Sequence, residues 1–295
     1  MSLSFILFQK KGYMNRKNKN KIFLFFSFLS AGVCGAVLLF LVSYIVLKGI
    51  HAISVDFLLS DSKNFGLEGG IFYQIVGSLL LVGVAAMFSL PIGLGAAIYT
   101  SEFIYNKRIR KVVHTLILGL NGVPSILFGL FGLLFFSNFL GMGVSWLTGS
   151  IVLGMMILPT ILISAYQSIN SIPTNYREAA YGLGFTKWQV VSSVLIPQSI
   201  HGSLTGLLLG IARAIGETAP ILFVATAFSG ITMPSSVSDP VLSLPTHILH
   251  LAQQATNPKT LQNAWGASLV LLFLVLFFSM CGLFLRFRYA KLTIR

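Results

Sequence analysis

Long unbroken apolar runs dominate this chain, rather than strand-like alternation or the two-faced period of a surface helix. Crossing a bilayer takes about 20 mostly apolar residues. Six runs reach that length: 22–47, 71–100, 112–136, 146–166, 200–228 and 264–285. The second and fifth are long enough to tilt or to project beyond the hydrocarbon. Pro91, Pro159 and Pro220 fall inside runs, which membrane helices tolerate when neighbours satisfy the freed backbone groups. The pattern predicts an all-α integral membrane protein with six transmembrane helices over 22–285. A basic N-terminal tail (1–21) and a basic C-terminal tail (286–295) flank them.

Composition excludes the soluble alternatives. Of 295 residues, 55% are hydrophobic and 9% charged, against about 25% charged in an ordinary soluble domain. Mean hydropathy is +0.86. An ordinary cytosolic enzyme, a secreted disulfide domain and a disordered chain are all ruled out. The net charge of +13 reports orientation, not nucleic acid. Lys10, Lys11, Arg16, Lys17, Lys19, Lys21, Lys107, Arg108, Arg110, Lys111, Arg177, Lys187, Arg286, Arg288, Lys291 and Arg295 all fall on one side of the six-span layout. Lys48, Lys63 and Lys259 fall on the other, and Arg213 lies within a span. The positive-inside rule places both termini in the cytoplasm. The first run exceeds the 7–15 residues of a signal-peptide core, so it reads as a span. Cys34 and Cys281 lie in apolar runs and read as packing residues.

The strongest local pattern lies between the fourth and fifth runs, over 172–197, on the cytoplasmic side. Pro173 suits a helix start, Asn175 precedes Glu178 at capping-box spacing, and Gly182 and Gly184 can stop that helix. Thr186 with Gln189 opens a second helix, which Pro197 is expected to end. The first helix is expected to expose Ala179 and Ala180, letting a partner surface approach the backbone. Trp188 is expected to pack within the hairpin. By local pattern alone this fits an interfacial helical hairpin.

Its spacing adds more: Glu178-Ala179-Ala180, then Gly184, then Val194, Ile196 and Pro197. This resembles the EAA loop of binding-protein-dependent ABC importer permeases, with Val194 and Ile196 as mild departures from that family's usual residues. The resemblance implies a type I ABC importer permease fold. It also implies that Arg177, Glu178, Ala179, Ala180, Gly184 and Pro197 belong to a loop that docks into a cytoplasmic ATPase.

The fifth run carries Arg213 and Glu217, the charges expected deep in the membrane, followed by Thr218. A charge at the bilayer centre costs about 2.5–3.5 kcal/mol on insertion scales, so the pair must face protein or water. On one continuous helix, Gly202, Gly206, Gly210, Arg213, Glu217 and Pro220 fall within an arc of about 80°. Gly206 and Gly210 have the spacing of close helix approach. Leu204, Leu208, Ile211, Ile215 and Leu222 fall opposite and read as lipid-facing. Two roles stay open for the pair: an oxyanion contact through the guanidinium, or a salt bridge that gates or pins the helix. A Glu217 carboxylate can accept a hydrogen bond from protonated phosphate, which sulfate does not offer near neutrality.

The segment from Arg213 to Phe223, with Gly-Glu-Thr-Ala-Pro at its centre, resembles the A-type permease of phosphate-specific (Pst) ABC systems. So does Asn121-Gly-Val-Pro-Ser-Ile-Leu-Phe-Gly-Leu-Phe-Gly132. That resemblance implies a non-catalytic subunit forming half of a phosphate pathway in a prokaryotic cytoplasmic (inner) membrane. It implies a C-type permease in a heterodimer, two copies of a cytoplasmic ABC ATPase and an external phosphate-binding protein. ATP and magnesium belong to the ATPase, with no cofactor on this chain. Membrane lipid is the remaining partner, and nucleic acid is not one. The chain has no G-x-x-x-x-G-K-[ST] phosphate loop, and its outer loops are too short for a receptor domain. Another oxyanion, molybdate or sulfate, remains an alternative. An ion-coupled secondary transporter would be expected to show internal repeats, and an enzyme acting on lipid phosphate would need a nucleophile or base. His247 and His250 share helical spacing but lack a third metal ligand. Trp146 and Trp265 sit where interfacial anchors sit.

Overall fold

A computed structural model of the chain describes residues 3–63, 68–227, 233–254 and 257–290, with the side chains of 3–19, 289 and 290 left aside. The expected end of the fifth run at residue 228, and Lys291 and Arg295, lie outside the described residues. The chain divides into two units, Met1–Lys48 and Gly49–Arg295.

The first unit is a single helix, α1 (Leu3–Gly49). Its backbone is helical well before residue 22, so the basic tail and the first span form one element. No proline interrupts the stretch, and its interior glycines, Gly12, Gly32 and Gly35, are isolated from one another, so nothing in it stops a helix. From Ile22 to Leu47 α1 is apolar on every face, as a helix among lipid chains must be.

The second unit is built around three long helices, α3 (Phe72–Ile98), α6 (Trp146–Asn170) and α9 (Ile196–Ile215), with α12 (Pro258–Ala290) packed against α9. Leu81, Val82 and Ala85 of α3 meet Val152, Leu153, Met156, Ile157 and Ile161 of α6 and Ala214 and Ile215 of α9 in one buried core. Small residues let these backbones approach. A side chain at Gly206 would place its Cβ 2.4 Å from the Ser164 Cβ. Ser164 Oγ instead donates to the Gly202 carbonyl at 2.8 Å, and Ser89 Oγ of α3 to the Gly154 carbonyl at 2.9 Å. Such hydroxyl–carbonyl bonds join helices where hydrophobic burial is weak, since lipid is as apolar as leucine.

Among the described residues, five helices are long and apolar enough to cross a membrane, and a sixth if one bent pair counts as a single span. That pair covers the third run, expected over 112–136, and it is bent. α4 (Lys107–Asn121) and α5 (Ser125–Gly132) meet at 91°, because Pro124 pushes Val123 out of the helical region. The fifth span is corrected. It stops at Ile215, and a short helix, α10 (Ala219–Val224), begins after a break at Gly216–Thr218. Pro220 has no N–H, and its ring would clash with the Gly216 carbonyl in a continuous helix. Glycine at that position removes the remaining helical preference. Pro220 therefore starts a helix instead of lying inside one. Pro91 and Pro159 do lie inside helices.

The outer connections are folded. α2 (Val55–Leu59) precedes a two-residue ladder of β1 (Ser62–Lys63) with β2 (Glu68–Gly69). α11 (Leu244–Gln253) docks on α3, where Ser78 Oγ accepts from Leu244 N at 2.8 Å. The face of α9 read as lipid-facing is covered: Ile215 is buried, Ile211 packs on the core, and Leu208 Cβ lies 3.3 Å from the Cβ position of Gly282 on α12.

Gly206→Val should cost about 1–3 kcal/mol of stability through overpacking and lower the thermal midpoint of the chain in detergent. Gly83→Val, whose Cβ would meet nothing within 4 Å, should leave the midpoint almost unchanged. Equal shifts for the two would refute the close α6–α9 packing.

Candidate functional site: a hairpin and a broken helix

The hairpin begins with α7 (Thr174–Gly182). Its end is a Schellman turn. Gly184 takes φ +82°, Phe185 N donates to the Ala180 carbonyl at 3.1 Å, and Gly184 N to the Tyr181 carbonyl at 2.9 Å. α8 (Lys187–Val190) opens on the expected Thr186–Gln189 capping box. The other expected box is not formed. Pro173 is the N-cap of α7, and no side chain caps that helix.

Pro197 does not end the second helix. The helical path is continuous over Lys187–Ile215. A π-turn at Val191–Leu195 precedes the proline, and its wider hydrogen-bond register absorbs the missing N–H. Pro197 stands exposed in the first turn of α9.

Glu178 and Ala179 are exposed, but Ala180 is buried among Ile98, Ile117, Ile172, Val190 and Leu195. One helical turn cannot present three consecutive residues outward, so the alanines divide between core and surface. Trp188 does not pack: it is 65% exposed. Tyr181 and Leu183 are exposed as well, so the surface of the hairpin carries Glu178 together with several exposed apolar and aromatic side chains.

Arg177 points inward. Its Nη2 lies 3.0 Å from Glu102 Oε1 and its Nε 3.2 Å from the same oxygen. Nη1 and Nη2 also donate to the Ile172 and Ile169 carbonyls at 2.8 and 3.0 Å. Sequence reasoning missed Glu102. The available signal was a lone carboxylate among the cations of the second–third loop.

The second cluster lies at the break between α9 and α10. Arg213 Nε is 3.6 Å from Glu217 Oε1, with the side chains 40% and 18% exposed. Among the described residues the terminal guanidinium nitrogens have no other partner. Thr218 is half-buried and its side chain caps neither helix. The Cβ position of Gly210 lies 3.2 Å from Ile157 Cβ, and that of Gly149 lies 2.4 Å from Ala225 Cβ. The break is therefore level with the stretch of α6 between residues 149 and 157, within the length of a crossing helix. Gly202, Gly206 and Gly210 all face α6, at Ser168, Ser164 and Ile157. Pro220 packs on α5, its Cα 2.6 Å from the Cβ position of Gly129. Arg213 is on the open side, so the structure separates the glycines from the charges that the continuous-helix reading placed on one stripe.

On α11, His247 is buried, and its pKa is pushed down to about 4, mainly by burial and then by the charge of His250. No group of three potential metal-ligating side chains occurs among the described residues. Trp146 anchors through its indole, Nε1 donating to the Ser236 carbonyl at 2.9 Å.

The site thus lies in a multi-helix membrane protein with two mid-span breaks, a partly exposed ion pair at one of them and an exposed hairpin. The family model described as "Binding-protein-dependent transport system inner membrane component" matches residues 89–292, and the chain belongs to that family. A curated relative, the "Phosphate transport system permease protein PstA" of Pasteurella multocida, is 34% identical over 88% of this chain and 92% of its own. The "Probable ABC transporter permease protein YqgI" of Bacillus subtilis is 32% identical over 95% and 99%. Among solved structures, an inward-facing MetNI methionine ABC transporter chain superposes with a TM-score of 0.59 at 17% identity, covering 76% of this chain and 98% of its own. A chain of a bacterial alginate ABC transporter gives 0.58 at 17%, covering 85% and 92%. These likenesses establish the type I ABC importer permease fold.

The buried neutral His247 gives a pH test. Its pKa falls from 6.5 unfolded to about 4 folded, so the unfolded chain takes up the proton first. Stability is whole above pH 6.5 and drains away as pH falls toward 4, by about 3 kcal/mol for this group. His247→Gln should flatten the acid limb of the thermal midpoint. An unchanged limb would show that the imidazole does not stay neutral.

Proposed function

We infer that this chain is the permease subunit forming half of the path for inorganic phosphate in an ATP-driven importer. The observation that carries the reading is the near full-length match to relatives named as phosphate transport permeases, in a chain that presents an exposed Glu178 and Ala179 on its hairpin. The hairpin docks in a cleft of a cytoplasmic ATPase, and two copies of that ATPase hold ATP and magnesium. A C-type permease closes the other half of the path over the open side of Arg213 and Glu217. An external phosphate-binding protein delivers the ion. Both termini face the cytoplasm, since sixteen of the 20 Lys and Arg then lie on that side. This chain carries out no covalent chemistry.

Within the path, Arg213 is the anion contact. Its long 3.6 Å approach to Glu217 leaves donors for an oxyanion, and guanidinium binds oxyanions in pairs of N–H bonds. Glu217 holds that guanidinium in place and accepts the hydrogen bond of a protonated phosphate. Thr218 adds a hydroxyl at the break.

Reconstitution with the ATPase, the C-type permease and the receptor tests the reading. Labelled phosphate should enter vesicles only with ATP, and sulfate and molybdate should compete poorly. Arg213→Ala should lower phosphate uptake at least tenfold, the scale of a lost charged hydrogen bond, without loss of receptor docking. Glu217→Gln should admit sulfate relative to phosphate. Preferred uptake of molybdate or sulfate by the unaltered complex would overturn the phosphate assignment, and uptake by this chain alone would overturn the importer reading.

A further inference from the structure

The hairpin is joined to the bundle covalently at two places: through residues 171–173 to α6, and through the continuous path of Lys187–Ile215 into α9. α3 has no covalent link to it. The structure nevertheless grips α3 at two points. Arg177 of α7 holds Glu102, which lies in the π-turn Tyr99–Phe103 that ends α3. Lys187 of α8 donates to Tyr105 Oη at 2.6 Å and lies over the Phe103 and Tyr105 rings, at 4.3 and 4.4 Å from their centroids. Both arms of the hairpin thus seat on the five residues from Ser101 to Tyr105.

The seat is built. Arg177 and Glu102 are only 16% and 12% exposed in their side chains. Ser101 Oγ lies 3.2 Å from Asn170 Oδ1 at the end of α6. Arg110 Nη2 donates to the Ser101 and Ile104 carbonyls at 3.1 and 2.7 Å, which ties in α4 as well. The four hydrogen bonds of Arg177 described above run to Glu102 and to the Ile169 and Ile172 carbonyls. It is therefore separated from Glu178 and Ala179, with which it adjoins in sequence. A partly buried charge pair of this kind is weak evidence for stability but costs heavily when one partner is removed.

We propose that Glu102 is a positioning residue that latches the end of α3 to the hairpin through Arg177, so that displacement of the hairpin carries α3 with it. This rests on the reading of the hairpin as the ATPase-docking element. Without the latch the hairpin still docks, and α9 still moves with it, but α3 lags. The path then fails to switch fully during a cycle of hydrolysis. The signature is loss of coupling, not loss of assembly.

The test uses the complete reconstituted complex, with labelled inorganic phosphate as the probe and ATP hydrolysis measured in the same vesicles. Glu102→Gln should leave ATPase association intact and hydrolysis largely retained, while phosphate moved per ATP falls about tenfold, the scale of a lost charged hydrogen bond. In a background with Cys34 and Cys281 replaced by Ser, the pair Glu102→Cys and Arg177→Cys should be equally uncoupled. A short bifunctional thiol reagent joining the two should then raise phosphate per ATP again. A purely structural role would not produce that recovery. An unchanged ratio in Glu102→Gln overturns the latch. If Glu102→Gln does not assemble, the cysteine pair decides: recovery on cross-linking supports the latch and no recovery overturns it. Glu178→Arg, on the outward face, serves as the separate check. It should abolish ATPase association, and if it does not, the docking reading itself fails, whatever Glu102 does.

Discussion

A peptide group in hydrocarbon has no water to bond, so every N–H and C=O of a membrane-crossing segment must find its partner inside the protein. That constraint decides what happens where this chain leaves the helix in mid-span. Both breaks come at a Gly–Pro pair, Gly122 with Pro124 and Gly216 with Pro220, and the short helices that follow, α5 and α10, pack on each other and on α6. Around the second break and α10, backbone groups find partners in neighbouring segments. Ser145 N donates to the Val224 carbonyl at 2.9 Å, and Val241 N to the Ala225 carbonyl at 2.8 Å. Glu217 N closes on Ala214 at 3.2 Å, and Leu222 N on Thr218 at 3.1 Å. The chain can afford irregular backbone at this depth only because α6 and the returning outer loop line it.

That geometry also sets where charge is tolerated. A helix interior would carry Arg213 and Glu217 wherever its rotation dictated. A break lets them leave the packed face while Gly202, Gly206 and Gly210 stay on α6. The resulting surface is polar, within the length of a crossing helix, and open on a single chain. A membrane protein sustains such a surface only against water or against another polypeptide. On a single chain the Arg213 side chain is 40% exposed, so this surface meets one or the other.

Much of this was legible in the sequence, because the strongest signals are periodic or compositional. Runs of about 20 apolar residues located the long helices. The Thr186–Gln189 box and the turn at Gly184 were readable because each is a local hydrogen-bond pattern with its own residue types. What was hidden depends on the third dimension. Hydropathy averages over the bends at Pro124 and Pro220, since the residues on either side remain apolar. Pro197 read as a stop because the π-turn that accommodates it has no sequence signature of its own. Ala180 read as exposed because a motif is a string, whereas a helix turns about 100° per residue. The pairing of Glu102 was hidden because its partner Arg177 is 75 positions away.

These features meet in α8 and α9. One uninterrupted helical path runs from Lys187 to Ile215, about 43 Å at 1.5 Å per residue. Trp188 stands exposed near its first turn, and Arg213 near its last. Helices of this kind bend softly but do not compress, because shortening one breaks its hydrogen-bond ladder. A displacement at the hairpin must therefore appear at the ion pair as translation or tilt of the whole rod along α6. The α6 face it moves against is lined by Ser164, Ser168 and Ile157 opposite glycines, with few long side chains to interlock and oppose sliding. The π-turn at Val191–Leu195 lies on that path, and its buried Val191 and Leu195 pack into the base of the bundle.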